Sequence, residues 1–245
     1  MTPEQAAEIL RLREAKVAPK QIARKLGLRP AEVNTFIREN AEGAYLARAQ
    51  EGALEPIHEC IVNQSAAKRL LEGKALAEDE GVGGMAQILL TREDRNRYLL
   101  GSYLVDYWCL GVKDAIPPRK VGRSHYQEFK RVATERFNEP FVDISIEQAQ
   151  SIVYGAVEYA RALGFEPGSD FNTKAQAHLG LQPETPIAIE FGREGKPYYI
   201  SGPYDNPEKI IKTLEANVGE GNFHYVAGIG GFGDDLLLED ELFLP

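Results

Sequence analysis

Three side chains in the stretch LVDYWCLGVKDA, residues 104–115, are of types that take part in catalysis. Cys109 could act as a nucleophile beside a base, and Asp106 and Asp114 with a further carboxylate could hold a divalent metal ion as in a nuclease. The two aspartates are eight residues apart, roughly 26 Å in an extended strand at about 3.3 Å per residue, so they could meet only if the chain folded back. The four histidines lie at no spacing that indicates a base for the thiol: His58, His125, His178 and His224.

The same stretch is also typical of a core strand that is covered on both faces. In that interpretation Cys109 is a buried, inert thiol, and Asp106 is partly buried and bonded to a cation or a backbone N–H. We therefore expect Lys113 and Asp114 to be solvated charges at the end of the strand. The sequence assigns no catalytic residue and no metal ligand.

A second set of polar residues is suited to binding nucleic acid. Lysine and arginine hold phosphates, whereas asparagine pairs with adenine and arginine with guanine through two hydrogen bonds each. We predict that eight side chains contact DNA: Lys20, Arg24, Lys25, Arg29, Glu32, Asn34, Thr35 and Arg38. The three residues on the first of two short helices would hold phosphates, and those on or near the second would face base edges.

The apolar residues between these groups predict how the two helices pack. In QIARKLGLRPAEVNTFI, residues 21–37, Ala23 is small where the next helix crosses, and Gly27 supplies the turn because glycine adopts a positive φ most easily. The buried side is predicted to consist of Ile22, Ala23, Leu26, Leu28, Val33, Phe36 and Ile37. The segment resembles the helix-turn-helix of many bacterial DNA-binding domains, which implies that its second helix is the recognition helix. A helix at residues 2–16 would complete a three-helix core.

Charge divides the chain into two parts. The 245 residues carry a net charge of −9, which argues against coating nucleic acid with the whole surface. Residues 1–40 hold eight basic and five acidic side chains, a net charge of +3, and the remainder holds 20 and 32, a net charge of −12. A basic part joined to an acidic one predicts two functional units. We place the helix-turn-helix domain at residues 1–42 and a helical linker at 43–56.

Residues 57–220 are predicted to form an α+β domain of antiparallel hairpins and helices, because strands and helices come in blocks without regular alternation. We expect a strand at 57–63, a hairpin of 85–91 with 98–112, and a hairpin of 187–191 with 197–201. Helices are expected at 124–136, 146–163, 171–179 and 206–217. LVDYWCLGVKDA and EFGREGKPYYISGPYDNPEKI resemble segments of uncharacterised bacterial proteins. That resemblance covers much of residues 57–215, implies a shared fold and carries over no activity.

Residues 221–245 combine a glycine-rich tether with an acidic and apolar tail. GIGGFG, residues 228–233, fits the spacing of a dinucleotide-binding loop, but too few residues follow for the helix and strand that such a site needs, so no cofactor is predicted. DDLLLEDELFLP alternates acids with large apolar residues, which suits a segment that folds onto a protein partner. Packing on its own domain is an equally good interpretation of the tail.

Composition narrows the environment in which the chain is expected to work. No stretch approaches the roughly 20 apolar residues of a membrane span, and the polar N-terminal residues do not form a signal peptide. Cys60 and Cys109 are too few for a disulfide framework or a structural zinc site. We therefore expect a cytoplasmic protein with no membrane partner.

The function predicted from these features is DNA binding, in a regulatory or targeting component. One helix-turn-helix of charge +3 neutralises few phosphates, so a homo-oligomer or a protein partner should supply further contacts. The α+β domain would serve dimerisation, partner binding or a ligand response. Two alternatives stay open: a metal-dependent enzyme that acts on nucleic acid, and a protein-interaction adaptor that does not bind DNA.

Overall fold

The computed structural model describes residues 1–73 and 83–227. Its N-terminal unit contains the helices α1 (Pro3–Glu14), α2 (Pro19–Leu26) and α3 (Pro30–Gln50). A capping box starts α1, because the N–H of Gln5 donates to Thr2 Oγ1 at 3.2 Å and the N–H of Thr2 donates to Gln5 Oε1 at 2.8 Å. Helix α3 continues without a break to Gln50, and it therefore includes most of the predicted linker.

The larger part is built on a five-stranded antiparallel sheet, and the predicted α+β class is confirmed. The strands are β1 (Ile57–Asn63), β2 (Met85–Asp94), β3 (Arg97–Asp106), β4 (Gly111–Val121) and β5 (Phe141–Asp143), in the order β4-β3-β2-β1-β5. Strand β1 has the predicted bounds. The central strands are buried on both faces, since Ile88 and Leu90 join one core cluster and Leu89 joins another.

Helices supply the cover for these two faces. The helices are α4 (Gln64–Leu71), α5 (Arg123–Phe137), α6 (Ile146–Ala162), α7 (Thr173–Leu179) and α8 (Pro207–Val218). Residues of α4, α6 and α7 pack in one cluster with the sheet, and residues of α5 pack in the cluster on the other face. The four helices predicted for this part are confirmed within two residues at each end, whereas α4 and β5 were not predicted.

The predicted hairpin of residues 85–91 with 98–112 is confirmed by the pairing of β2 with β3. Its second strand was predicted too long, because β3 ends at Asp106 rather than at residue 112 and the chain turns back. The carboxylate of Asp106 accepts hydrogen bonds from the N–H groups of Trp108 and Cys109, each at 3.0 Å. These bonds hold residues 107–110 in a turn, after which β4 pairs with β3. The side chain that interrupts the apolar pattern is therefore the one that terminates the strand.

The predicted hairpin of residues 187–191 with 197–201 is wrong. The first segment is not a strand, because Phe191 stacks on Tyr159 of α6 with 5.5 Å between ring centroids. Strand β6 (Tyr198–Ile200) instead pairs in parallel with β7 (His224–Val226), which lies within the predicted tether. Residues 228–245, with the GIGGFG motif and the acidic tail, lie outside the described residues. None of the helices within 1–73 and 83–227 has the length and apolar character needed to cross a membrane.

Candidate nucleic-acid interface

The three N-terminal helices, which we call the head, pack around a small apolar core of their own. Ile9, Ile22 and Val33, one from each helix, are fully buried, and Ala23 is 1% exposed. The partly buried members of the cluster are Val17, Leu26, Leu28, Phe36 and Ile37. All seven apolar positions predicted for the helix-turn-helix segment therefore face this core.

A glycine corner sets the angle between α2 and α3. Gly27 ends α2 with a φ of 64° and a ψ of 28°, the left-handed conformation that costs other residues about 1–2 kcal/mol. The N–H of Leu28 donates to the carbonyl of Ala23 at 3.0 Å, so Leu28 turns back towards the core. Helix α3 then starts at Pro30, which suits the first helical position.

The eight predicted DNA contacts lie on the surface of this unit. All except the half-buried Glu32 are exposed, and they occupy α2, the corner and the first turns of α3. Asn34, Thr35 and Arg38 share one face of α3, because residues three and four apart are neighbours on a helix. The fully buried Val33 points to the opposite side, into the core.

Two of the basic side chains are ion-paired within the head. Arg29 donates to Glu32 at 3.0 Å, and Lys25 lies 3.4 Å from Glu8. A hydrogen bond from Arg29 lowers the pKa of Glu32 to about 2, so this carboxylate is ionised at neutral pH. The two pairs therefore reduce the positive field of the predicted surface.

Three further cations supply the charge that is not neutralised. Lys20, Arg24 and Arg38 are exposed and have no ion-pair partner among residues 1–73 and 83–227. Lys20 and Arg24 lie on α2, and Arg38 lies on the face of α3 that also carries Asn34 and Thr35. The surface thus combines hydrogen-bonding groups on one helix with unpaired positive charges on both helices.

The rest of the described chain, residues 57–73 and 83–227, which we call the body, leaves this surface uncovered. Its contacts with α3 involve the C-terminal half of the helix, where Glu42 pairs with Lys174 at 2.7 Å and Tyr45 bonds to His178. Arg38 lies one helical turn before Glu42 and remains exposed. One helix thus presents polar groups at its start and docks on the body near its end.

His178 is at the centre of a buried polar junction that the sequence did not predict. Its ring accepts a hydrogen bond at Nδ1 from the Tyr45 hydroxyl at 2.8 Å, and Nε2 donates to the Leu90 carbonyl at 3.0 Å. The tautomer follows from the partners, since a carbonyl oxygen can only accept. Gly101 makes room for the ring, because a Cβ there would lie 2.5 Å from His178 Cδ2.

Burial keeps this histidine neutral. The side chain is completely buried, and desolvation lowers its pKa to about 4. Arg92 closes the junction, since its guanidinium donates to the carbonyls of His178 and Glu55. The junction therefore connects α3, the residues that follow it, strand β2 and helix α7 in one hydrogen-bonded network, and we assign it a structural role.

The candidate residues near Cys109 do not form a catalytic site. Cys109 is fully buried and burial raises the pKa of its thiol. Asp106 is also buried, which raises the pKa of its carboxyl to about 6, and its partners are backbone N–H groups. Asp114 is exposed and stands opposite Leu104, whereas Asp106 stands opposite Gly111. Within residues 1–73 and 83–227 no three His, Cys, Asp or Glu side chains are grouped to hold a metal ion.

Comparisons with protein-family models, with curated proteins and with solved structures find no match to this chain.

Proposed function

We propose that the protein binds double-stranded DNA through its N-terminal helix-turn-helix and acts as a regulatory or targeting component. The observation that carries the proposal is the combination of a left-handed glycine corner with a polar face on α3 that the body leaves exposed. A helix presented in this way can enter the major groove, where the residues of its first turns reach base edges.

The residues divide between two roles. Asn34 would pair with adenine and Arg38 with guanine or a phosphate, while Lys20 and Arg24 would hold phosphates beside the groove. Arg29 is paired with Glu32 in the free protein, but an exposed ion pair contributes only about 0–1 kcal/mol, so Arg29 can exchange this partner for DNA at little cost.

The direct test replaces two residues of the exposed face. Asn34→Ala with Arg38→Ala should weaken binding to labelled duplex DNA, measured by fluorescence anisotropy and gel shift, and should leave the melting temperature unchanged because both side chains are exposed. Lys212→Ala with Asn217→Ala, on the exposed surface of α8, is the matched control and should bind as the wild type does.

Salt dependence separates this proposal from an adaptor that does not bind DNA. If Lys20, Arg24, Lys25 and Arg38 contact phosphates, the logarithm of the association constant should fall with the logarithm of salt concentration with a slope of about −3.6, or 0.9 per contact. Equal retention of the wild type and the double variant on DNA would contradict the proposal. No observation within the described residues favours a metal-dependent enzyme.

A further inference from the structure

A second basic surface lies on the acidic body, at one end of the sheet. It comprises Arg95, Arg97, Arg119, Lys120 and Arg123, and we name it the basic tip. The register brings these residues together, because β3 and β4 pair through Tyr98 and Val121 and all five lie within three residues of that pair. Two segments that are separated in sequence by residues 98–118 thus form one surface through strand pairing.

The tip is exposed, and it has two acidic neighbours on β2, Glu93 and Asp94. All five basic side chains are exposed, while Glu93 stands opposite Tyr98 and Asp94 stands opposite Arg97 in the register of β2 with β3. Asp94 pairs with Lys120 at 2.6 Å, and Arg119 lies over the Phe129 ring at 5.8 Å. Arg95, Arg97 and Arg123 have no ion-pair partner in the part of the chain that the structure describes. Such a concentration of arginine contrasts with the rest of the chain, since residues 41–245 have a net charge of −12.

Arg95 has a backbone conformation that is unfavourable for arginine. It is the first residue of the two-residue loop between β2 and β3, and its φ is 55°. Glycine, asparagine and aspartate are the usual residues with positive φ in such loops, and other residues are disfavoured there. The loop therefore presents the exposed Arg95 side chain at the end of the hairpin.

The tip lies at the end of the sheet where the head is attached. The N–H of Glu93 donates to the Pro56 carbonyl at 2.8 Å, and Ile57 pairs with Arg92, so the chain that leaves α3 enters the body next to the loop at Arg95. From Arg38, at the end of the polar face, helix α3 continues for 12 residues to Gln50, a rise of about 18 Å at 1.5 Å per residue. That span is shorter than one turn of B-DNA, about 34 Å.

We infer that the basic tip is a second DNA-binding surface, which holds phosphates of the same duplex beyond those that the head contacts. This inference rests on the proposed function of the head. Guanidinium groups suit the task because each can donate two hydrogen bonds to one phosphate. The tip would add contacts without base recognition and would supply the affinity that a small helix-turn-helix lacks alone.

The test compares two lengths of duplex. A duplex of one helical turn should engage the head alone, and a duplex of three turns should engage the head and the tip. The variant Arg95→Gln, Arg97→Gln, Arg123→Gln should bind the short duplex as the wild type does and should bind the long one less tightly. Its salt-dependence slope on the long duplex should be shallower by about 2.7, or 0.9 for each cation removed. The control Arg136→Gln, Lys209→Gln, Lys212→Gln removes the same charge from exposed positions elsewhere and should behave as the wild type.

The outcomes distinguish the two proposals. Equal binding of the tip variant and the wild type to the long duplex would overturn the inference and leave the head's function standing. Failure of the wild type to bind either duplex would overturn both. Tip-dependent binding to phosphatidylserine vesicles with unchanged DNA binding would assign the surface to a membrane and would likewise overturn the inference.

A single substitution guards against loss of folding in the triple variant. Arg95→Gly removes one cation and also relieves the backbone at φ 55°. It should therefore keep or raise the melting temperature while it lowers affinity for the long duplex. Unchanged affinity in a protein of equal or greater stability would count against the inference.

Discussion

Removing the Tyr45 hydroxyl should destabilise the protein through the buried His178. In Tyr45→Phe the aromatic ring stays, but Nδ1 of His178 loses the hydroxyl that donates to it at 2.8 Å. The imidazole is completely buried, so water cannot readily replace this partner. An unsatisfied buried acceptor costs about 1–3 kcal/mol, and a loss of about 2 kcal/mol in a chain of this size lowers the melting temperature by roughly 4–8 °C.

Urea unfolding followed by circular dichroism and by the fluorescence of Trp108 measures the loss. Tyr204→Phe is the matched control, because the Tyr204 side chain is 99% exposed, and it should change the free energy of unfolding by less than about 0.5 kcal/mol. A second control combines Tyr45→Phe with His178→Gln. If the hydroxyl acts through the imidazole, the double variant should be little less stable than His178→Gln alone.

Equal stability of Tyr45→Phe and Tyr204→Phe would refute this reasoning. Full additivity of the Tyr45 and His178 changes would also refute it, because the two groups would then contribute independently. In either case the docking of α3 on the body would depend on other contacts, such as the Glu42–Lys174 pair.

Three further predictions concern the body and the head. Burial lowers the pKa of His178 from 6.5 to about 4, so between these pH values the unfolded chain binds more protons than the folded one, and the free energy of unfolding falls as the pH drops. The difference in free energy of unfolding between the wild type and His178→Gln should therefore shrink by about 3 kcal/mol from pH 7 to pH 4. A difference that stays constant over this range would contradict the prediction. Gly27→Ala should lower the free energy of unfolding by about 1 kcal/mol, because the φ of Gly27 is 64°. Gly43→Ala should raise the free energy of unfolding by about 0.5–1 kcal/mol in the same urea assay, because a Cβ at this position of α3 would meet open space. The buried thiols of Cys60 and Cys109 should resist iodoacetamide in the native protein and react after unfolding; rapid native labelling of Cys109 would reopen the question of a reactive site.

The head could be predicted closely because its determinants are local in sequence. Ala23, Gly27 and Leu28 lie within six residues, and each has a separate physical reason for its type. The apolar stripes of α2 and α3 have helical spacing, so the buried side and the exposed side follow together. The linker at 43–56 was predicted to be helical, and α3 continues through it to Gln50. The sequence could not show that Tyr45 docks on α7, because the partner His178 is 133 residues away.

The errors in the body arise where tertiary contacts overrule a local pattern. Residues 98–112 are apolar, aromatic or glycine apart from Ser102 and Asp106, and a strand of that length was the simplest interpretation. The structure ends β3 because Asp106 can cap the amides of its own turn. His178 left a weak signal, since it shares a helical face with the fully buried Ala175 and Leu179. Its two distant ring partners left no signal in the sequence.

Helix α3 couples the two proposed DNA-binding surfaces because it belongs to both units. Its first turns carry Asn34 and Arg38, and its later turns are held on the body by Glu42 and Tyr45. The exposed Gly43 is the only glycine within the helix, and it has an ordinary helical φ, so the helix has no break between the two regions. The direction of the polar face relative to the basic tip is therefore set by the number of residues between Arg38 and Glu42.

That dependence can be tested by inserting alanine between Asn40 and Ala41. One added residue rotates the head by about 100° relative to the body, whereas four added residues rotate it by about 400°, which returns it to within roughly 40° with a shift of about 6 Å. Both insertions leave each unit's core contacts intact, so both proteins should bind a duplex of one turn as the wild type does. With one residue the gain in affinity on a three-turn duplex should disappear, and with four it should return in part. If both insertions keep the full gain, the two surfaces do not act on one duplex through a fixed helix.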